Sequence, residues 1–168
     1  MKTQTQNYFN METTEKVRVL KPSTVGKTAV SLKRITSLSF NLRTGRIGFS
    51  VNLMAALREV PWAGKDPILV QFIQDTDSPK NWYLKVVEED GFPVMLYGKK
   101  NPAKIQSHQV TNMAVVVEIA KSLNLQDPYL FTCYVSLELD KDIDSPFVGS
   151  FSIITASVVV KTKKLKQA

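Results

Sequence analysis

One order of elements occurs twice along this 168-residue chain, and it restricts the fold more than any other feature. In both halves a helix-like stretch is followed by an Asp-Pro pair, an apolar strand, an Asp-Ser-Pro turn and another strand. The matching segments are "VNLMAALREV" and "VTNMAVVVEI", "DPIL" and "DPYL", and the two "DSP" tripeptides. The matching positions are 51 with 110, 66 with 127 and 77 with 144. Their separation grows along the chain, as expected when loops accept insertions, so the pattern predicts a duplicated unit.

Runs of alternating apolar and polar residues surround both helix-like stretches and predict strands. A hairpin is predicted at Gly45, between "SLSFNL" and "RIGFS", because glycine supplies the positive φ of a tight turn. Ser50 is the predicted N-cap of a helix over 51–60, and a second helix is predicted over 110–124. The predicted fold is α+β, a β-rich, barrel-like core of two pseudo-symmetric ββαββ repeats with flexible basic ends. A grouping of the same elements as ββββα stays open.

These elements divide the chain into a flexible arm (1–15), a first repeat with N-terminal strands (16–92), a second repeat (93–160) and a basic tail (161–168). A chain of this length can bury a core without disulfides or metal. Cys133 is the single cysteine, so an intrachain disulfide is excluded. The apolar runs are shorter than the ~20 residues that span a membrane, and the N-terminus lacks a signal-peptide core. We therefore expect a cytoplasmic protein that does not enter membranes.

The distribution of charge points to a polyanionic partner. The formal net charge is +7. Residues 1–50 hold nine Lys or Arg against two acids, and "KTKKLKQA" at the end holds four Lys and no acid. Residues 51–160 hold nine basic and thirteen acidic residues. Positive charge concentrated at the two ends favours nucleic acid as partner, DNA more than RNA.

Two basic turns precede the two predicted helices, one over 43–46 and the other over 99–104. A single basic turn is ordinary solvated surface, but two in equivalent positions of a pseudo-twofold suit the similar phosphates that a duplex presents to both halves. Trp82 is a candidate for stacking on a base. The predicted contacts are Lys33, Arg34, Arg43, Arg46, Lys99, Lys100, Lys104 and Trp82.

The hairpin with Gly45-Arg46, the apolar strand end "IGFS", the short helix and the two strands after it resemble the swapped-hairpin DNA-binding unit of the AbrB/MraZ type. The resemblance covers residues 36–88 and extends to 93–160 through the repeat. It implies a β-barrel of two ββαββ units, and DNA binding, as in a transcription regulator, through Arg43, Arg46 and neighbouring basic residues. The chain departs from that family at Asn41, where an acid is frequent, and at Ser50, where proline is usual. Its second half lacks Gly-Arg.

Two alternatives to duplex binding remain. Grouped as ββββα, the elements resemble the Whirly and Pur-type binders of single-stranded nucleic acid, which combine basic sheets with exposed aromatic residues. A structural or assembly protein, such as a phage or virion component, is the alternative from another class. Either class allows a homo-oligomer and a bacterial or phage source.

Catalytic and metal motifs are incomplete. The stretch ending in Gly26-Lys27-Thr28 has Lys21 where a phosphate-binding loop needs glycine. The acidic run from Asp140 lacks the glycine and the final glutamate of a calcium loop. The lone His108 and Cys133 do not form a metal-ligand set. The sequence therefore predicts a non-enzymatic nucleic-acid-binding protein with no catalytic residue, metal or cofactor.

Overall fold

The computed structural model describes residues 35–98 and 107–162, so the strands predicted over 16–34 lie outside the described residues. Within those ranges there are nine strands and two helices, and none of these helices is long and apolar enough to cross a membrane. The strands are β1 (Ser37–Asn41), β2 (Arg46–Phe49), β3 (Leu69–Gln74), β4 (Trp82–Val87), β5 (Phe92–Pro93), β6 (Met95–Tyr97), β7 (Ser107–Thr111), β8 (Pro128–Leu139) and β9 (Ser150–Thr162). The helices are α1 (Val51–Arg58) and α2 (Met113–Ser122).

All nine strands belong to one sheet, in the order β5-β3-β4-β9-β8-β1-β2-β7-β6, and every pairing is antiparallel. The two outermost strands, β5 and β6, are separated along the chain by Val94 alone. Edges joined by one residue must lie side by side, so the sheet curls into a nearly closed, barrel-like form. The Val94 N–H donates to the Ile68 carbonyl at 2.9 Å, which holds the residue between β5 and β6 against the start of β3. The predicted β-rich, barrel-like class is confirmed.

Alternate residues of each strand point into the barrel and form its core. Phe40 of β1 stacks on Phe131 of β8 with ring centroids 4.6 Å apart. Burying each such large side chain stabilises the fold by about 1.5–3 kcal/mol. Other fully buried members are Leu38, Ile47, Leu53, Met54, Leu57, Ile68, Val70, Leu84 and Ile119.

Both helices begin at a side-chain cap. The Ser50 hydroxyl accepts a hydrogen bond from the Leu53 N–H at 3.3 Å, so the predicted cap of α1 is confirmed. The Asn112 side chain accepts one from the Val115 N–H at 3.1 Å and caps α2. Helices of eight and ten residues are too short to be stable alone. They are held by the apolar face that each buries in the core.

The prediction that the second helix begins at 110 was wrong. Val110 belongs to β7, where it pairs with Ile47 and is 2% exposed, whereas Val51 at the start of α1 is 81% exposed. The two valines that the sequence match had aligned are therefore not equivalent. The alternation of β7 continues to Thr111, and the chain turns into α2 at Asn112.

The pattern of strand pairing is preserved when each strand of one half of the described chain is replaced by its counterpart in the other half. The hairpin β1–β2 corresponds to β6–β7, and β3–β4 corresponds to β8–β9. The central pairs β2–β7 and β4–β9 correspond to themselves. The exchange turns the β1–β8 pair into a pair of β6 with β3. In the structure β3 pairs with β5, and β5 continues into β6 through Val94. The connectivity is compatible with duplication, which stays a prediction.

The turn between β1 and β2 is fixed by its own hydrogen bonds and by α2. The Asn41 side chain accepts hydrogen bonds from the Arg43 N–H at 2.9 Å and the Thr44 N–H at 3.2 Å. Gly45 has a φ of 72°, and its carbonyl accepts a hydrogen bond from the Asn112 N–H at 2.9 Å. A Cβ on Gly45 would lie 2.8 Å from the backbone nitrogen of Met113. Glycine is therefore required here both by conformation and by space.

We expect Gly45→Ala to lower the free energy of unfolding by about 1–3 kcal/mol, because it forces a side chain into a positive-φ position against the backbone of α2. The matched control is Gly64→Ala, since a Cβ there meets nothing within 4 Å. Urea unfolding of both variants measures the difference. Equal stability of the two variants would contradict this description of the turn.

Candidate nucleic-acid interface

The outward side chains of β1, β2, β6 and β7, together with those of the part of β8 that pairs with β1, form a surface that we call the polar face. Hydroxyl, amide and guanidinium groups dominate it, and it contains no carboxylate although the described residues include thirteen. Its members are Leu130, Thr132 and Tyr134 of β8, Ser37, Ser39 and Asn41 of β1, Arg46 and Gly48 of β2, Ser107, Gln109 and Thr111 of β7, and Met95 and Tyr97 of β6.

The strand register places these side chains in rows. Gly48 lies opposite Ser39 on one side and Gln109 on the other, and Arg46 lies opposite Asn41 and Thr111. With strands about 4.8 Å apart, five of them span about 19 Å. Because the sheet closes on its other side, this face is convex.

A shallow depression of about 210 Å³ lies over Gly48 at the centre of the polar face, bordered by Ser39, Asn41, Arg46 and Gln109. A Cβ on Gly48 would lie 2.7 Å from the Ser39 hydroxyl oxygen, so a side chain there would enter the depression. The Gln109 amide nitrogen donates to the Ser107 hydroxyl at 2.8 Å. The depression is therefore surrounded by hydrogen-bonding groups.

Arg43 and Arg46 are exposed, as predicted, at the turn that borders the polar face. The Arg43 guanidinium donates to the Tyr129 hydroxyl at 3.3 Å and lies 5.6 Å from the centre of that ring. The ring therefore supports Arg43 while leaving most of its donors free. Tyr129 had no signal in the sequence, because it is 86 residues away from Arg43.

Five of the predicted contacts, Lys33, Arg34, Lys99, Lys100 and Lys104, lie outside the described residues. Residues 99–106 follow β6 and precede β7 along the chain. Because β2 and β7 are antiparallel, Ser107 at the start of β7 and the β1–β2 turn lie at opposite ends of that strand pair.

The prediction that Trp82 stacks on a base was wrong for this structure. Trp82 is 6% exposed and belongs to the core. Its indole N–H donates to the Ser122 hydroxyl of α2 at 2.8 Å. Alternation along β4 showed that Trp82 and Tyr83 point to opposite faces, but it could not show which face is the inner one.

The described residues and the three remaining segments have net charges of opposite sign. The described residues hold nine basic and thirteen acidic side chains. Segments 1–34, 99–106 and 163–168 together hold thirteen basic and two acidic residues. The first two segments join at Ile35 and at Gly98 and Ser107. The third follows Thr162, which pairs with Pro128 beside the β1–β2 turn, so the described residues to which these segments are attached lie at both ends of the polar face.

The described residues contain no group of His, Cys, Asp or Glu side chains placed to hold a metal ion. Burial raises the pKa of the Cys133 thiol to about 11. A thiol with so high a pKa is protonated and unreactive at neutral pH.

A second polar group lies between α1 and β7. An Arg58 guanidinium nitrogen lies 3.0 Å from Nε2 of His108, and Nε of Arg58 lies 3.6 Å from the Asp66 carboxylate. Since arginine only donates, Nε2 of His108 accepts and the ring is neutral. Burial, and next the charge of Arg58, lower the pKa of His108 below its usual 6.5, and Asp66 opposes this shift.

Comparisons with protein-family models, with curated proteins and with solved structures found no match for this chain.

We expect the lowered pKa of His108 to make stability depend on pH. The unfolded chain binds a proton at His108 more readily than the folded chain does. His108 therefore lowers the free energy of unfolding as the pH falls below about 6.5, and continues to do so until the pH has passed the lower pKa of the folded state. Thermal melting of wild type and His108→Gln between about pH 7 and pH 5 measures it. The variant should lose less stability than wild type over this range; identical pH profiles would refute the assignment.

Proposed function

We propose that this protein binds nucleic acid, with duplex DNA as the ligand, through the polar face and the basic residues at its two ends. The observation that carries the proposal is the absence of carboxylates from a face of thirteen described residues, in a structure whose described part has more acids than bases. A polyanion on this face would meet hydrogen-bond donors and Arg46 but no like charge. Like-charge juxtaposition at an interface costs several kcal/mol, so the placement matters energetically.

The carboxylates lie on other parts of the molecule. Asp75 and Asp77 occupy the β3–β4 turn, residues 88–90 the turn before β5, and residues 138–144 the end of β8 and the turn after it. These acidic turns would repel a nucleic acid that approached from the wrong side. The charge pattern therefore favours one orientation of the protein on its ligand.

The side chains of the polar face favour a duplex over a single strand. Proteins that bind single strands stack bases on exposed aromatic rings. On this face the most exposed aromatic residue is Tyr97, 46% exposed, and it lies at the margin on β6, while the centre carries Ser, Asn, Gln and Arg. Such side chains bind phosphates and base edges, and a convex surface can approach the major groove.

The symmetric strand pairing supports a duplicated DNA-binding unit of the swapped-hairpin type. In this proposal Ser50 and Asn112, the caps of α1 and α2, are equivalent positions of the two copies. A pseudo-twofold between β2 and β7 would relate the two basic turns. A twofold arrangement matches the symmetry of a duplex backbone.

We expect Arg43→Ala combined with Arg46→Ala to weaken duplex binding by about 1 kcal/mol or more per lost contact, the usual scale for hydrogen bonds to charged groups. Stability should stay nearly unchanged because both side chains are exposed. With about five phosphate contacts, wild-type affinity should follow a log–log salt slope of about −4 to −5, and the double variant should show a shallower slope because it loses at least the phosphate contact of Arg43. Fluorescence anisotropy across a salt series measures both quantities.

The matched control is Lys80→Ala combined with Lys141→Ala, which removes two exposed positive charges from the acidic turns. This control should bind DNA like wild type, because its lysines lie away from the polar face. Duplex and single-stranded probes are compared in the same assay. A flat salt response, or equal losses in the two double variants, would refute the proposed interface, and preference for single strands would favour the alternative of single-strand binding.

A further inference from the structure

The depression over Gly48 offers hydrogen-bonding groups that phosphate binding does not require. Phosphate contacts need positive charge and hydrogen-bond donors. Here the depression combines a guanidinium from Arg46 with an amide from Gln109 on the neighbouring strand. The amide offers donor and acceptor together, which is the combination that distinguishes bases from one another.

Each of the two side chains can bind one purine. The Gln109 amide uses one N–H for the Ser107 hydroxyl. Its second N–H and its carbonyl oxygen stay available for N7 and N6 of adenine, the usual glutamine pairing in the major groove. Within the described residues Arg46 has no carboxylate partner, so its fork is free for O6 and N7 of guanine.

The spacing of these side chains fits neighbouring base pairs. Arg46 is opposite Thr111, two residues from Gln109, so the pair is diagonal, with α-carbons about 7–8 Å apart. Two base-pair steps rise by about 6.8 Å. Gly48 lies between the two side chains and leaves the space through which a base edge can approach.

We propose that the Gly48 depression recognises sequence directly, by contacting an adenine through Gln109 and a guanine through Arg46 within two base-pair steps of duplex DNA. This inference rests on the proposed function and adds base recognition to it. Ser107 acts as a positioning residue, because its hydroxyl holds the Gln109 amide. The Asn41 side-chain oxygen already holds the β1–β2 turn and has no assigned base.

Selection from a random duplex library with the 168-residue chain, followed by sequencing, gives the first test. We expect an enriched site that contains adenine and guanine within two steps, and a preference of about tenfold or more over a scrambled duplex. Gly48→Ala narrows the depression and should fold normally, since the added Cβ closely approaches only the rotatable Ser39 hydroxyl. Gln109→Ala removes the amide. Both variants should lose most of the preference, because their affinity for the selected duplex should fall more than their affinity for the scrambled duplex.

The matched control is Gln71→Ala, because Gln71 is a glutamine of β3 that donates to a backbone carbonyl outside the polar face. It should keep the full preference. Duplex binding without any enriched sequence would overturn base recognition and leave the proposed function standing, and so would equal losses of affinity for both duplexes in Gln109→Ala. Failure to bind any duplex would overturn both proposals.

Discussion

The pairing of β1 with β8 is the interaction on which the rest of the structure depends. β1 is followed at once by its hairpin partner β2, but its other edge is paired with a strand about ninety residues away. The stacked rings of Phe40 and Phe131 lie under this junction and exclude water from it. Pairing over such a separation costs loop-closure entropy, which grows slowly with loop length. The buried apolar contacts between the two strands offset that cost and hold the halves of the sheet together.

Because the sheet is closed, its inner face determines stability and its outer face is available for binding. Inward residues are almost entirely apolar and determine stability, while outward residues on β1, β2 and β7 are free to differ without changing the core. In the proposed DNA binding, affinity and sequence discrimination likewise come from different parts of the protein. Positive segments outside the described residues would supply affinity that is independent of sequence, and the polar face would supply discrimination. A protein arranged in this way can search along DNA and still distinguish sites.

Local signals predicted the elements well because their causes are local. Gly45 identified the hairpin and Ser50 the start of α1, since positive φ and helix capping involve residues close in sequence. The start of α2 was missed because Val110 fits a helical face as well as a strand, and its pairing with Ile47 decides between them.

Features that depend on distant strands could not be predicted from local patterns. The polar face exists because the β1–β2 hairpin lies between β7 and β8, both of which are far from it in the sequence. Trp82 was misassigned for the same reason, since its burial against Ser122 depends on where α2 packs. The β-rich, barrel-like class could be predicted because alternation of apolar and polar residues indicates a strand whichever other strand it pairs with.

The single residue between β5 and β6 also limits how the chain can change in length. An insertion or deletion beside Val94 would shift β6 by one position against β7, and side chains in a strand alternate between faces. Leu96 would then point outward, and Met95 and Tyr97 would point into the barrel. Loops such as the β8–β9 turn have no such constraint and can lengthen freely. We therefore expect relatives of this protein to differ in length at their turns but to keep one residue at this junction.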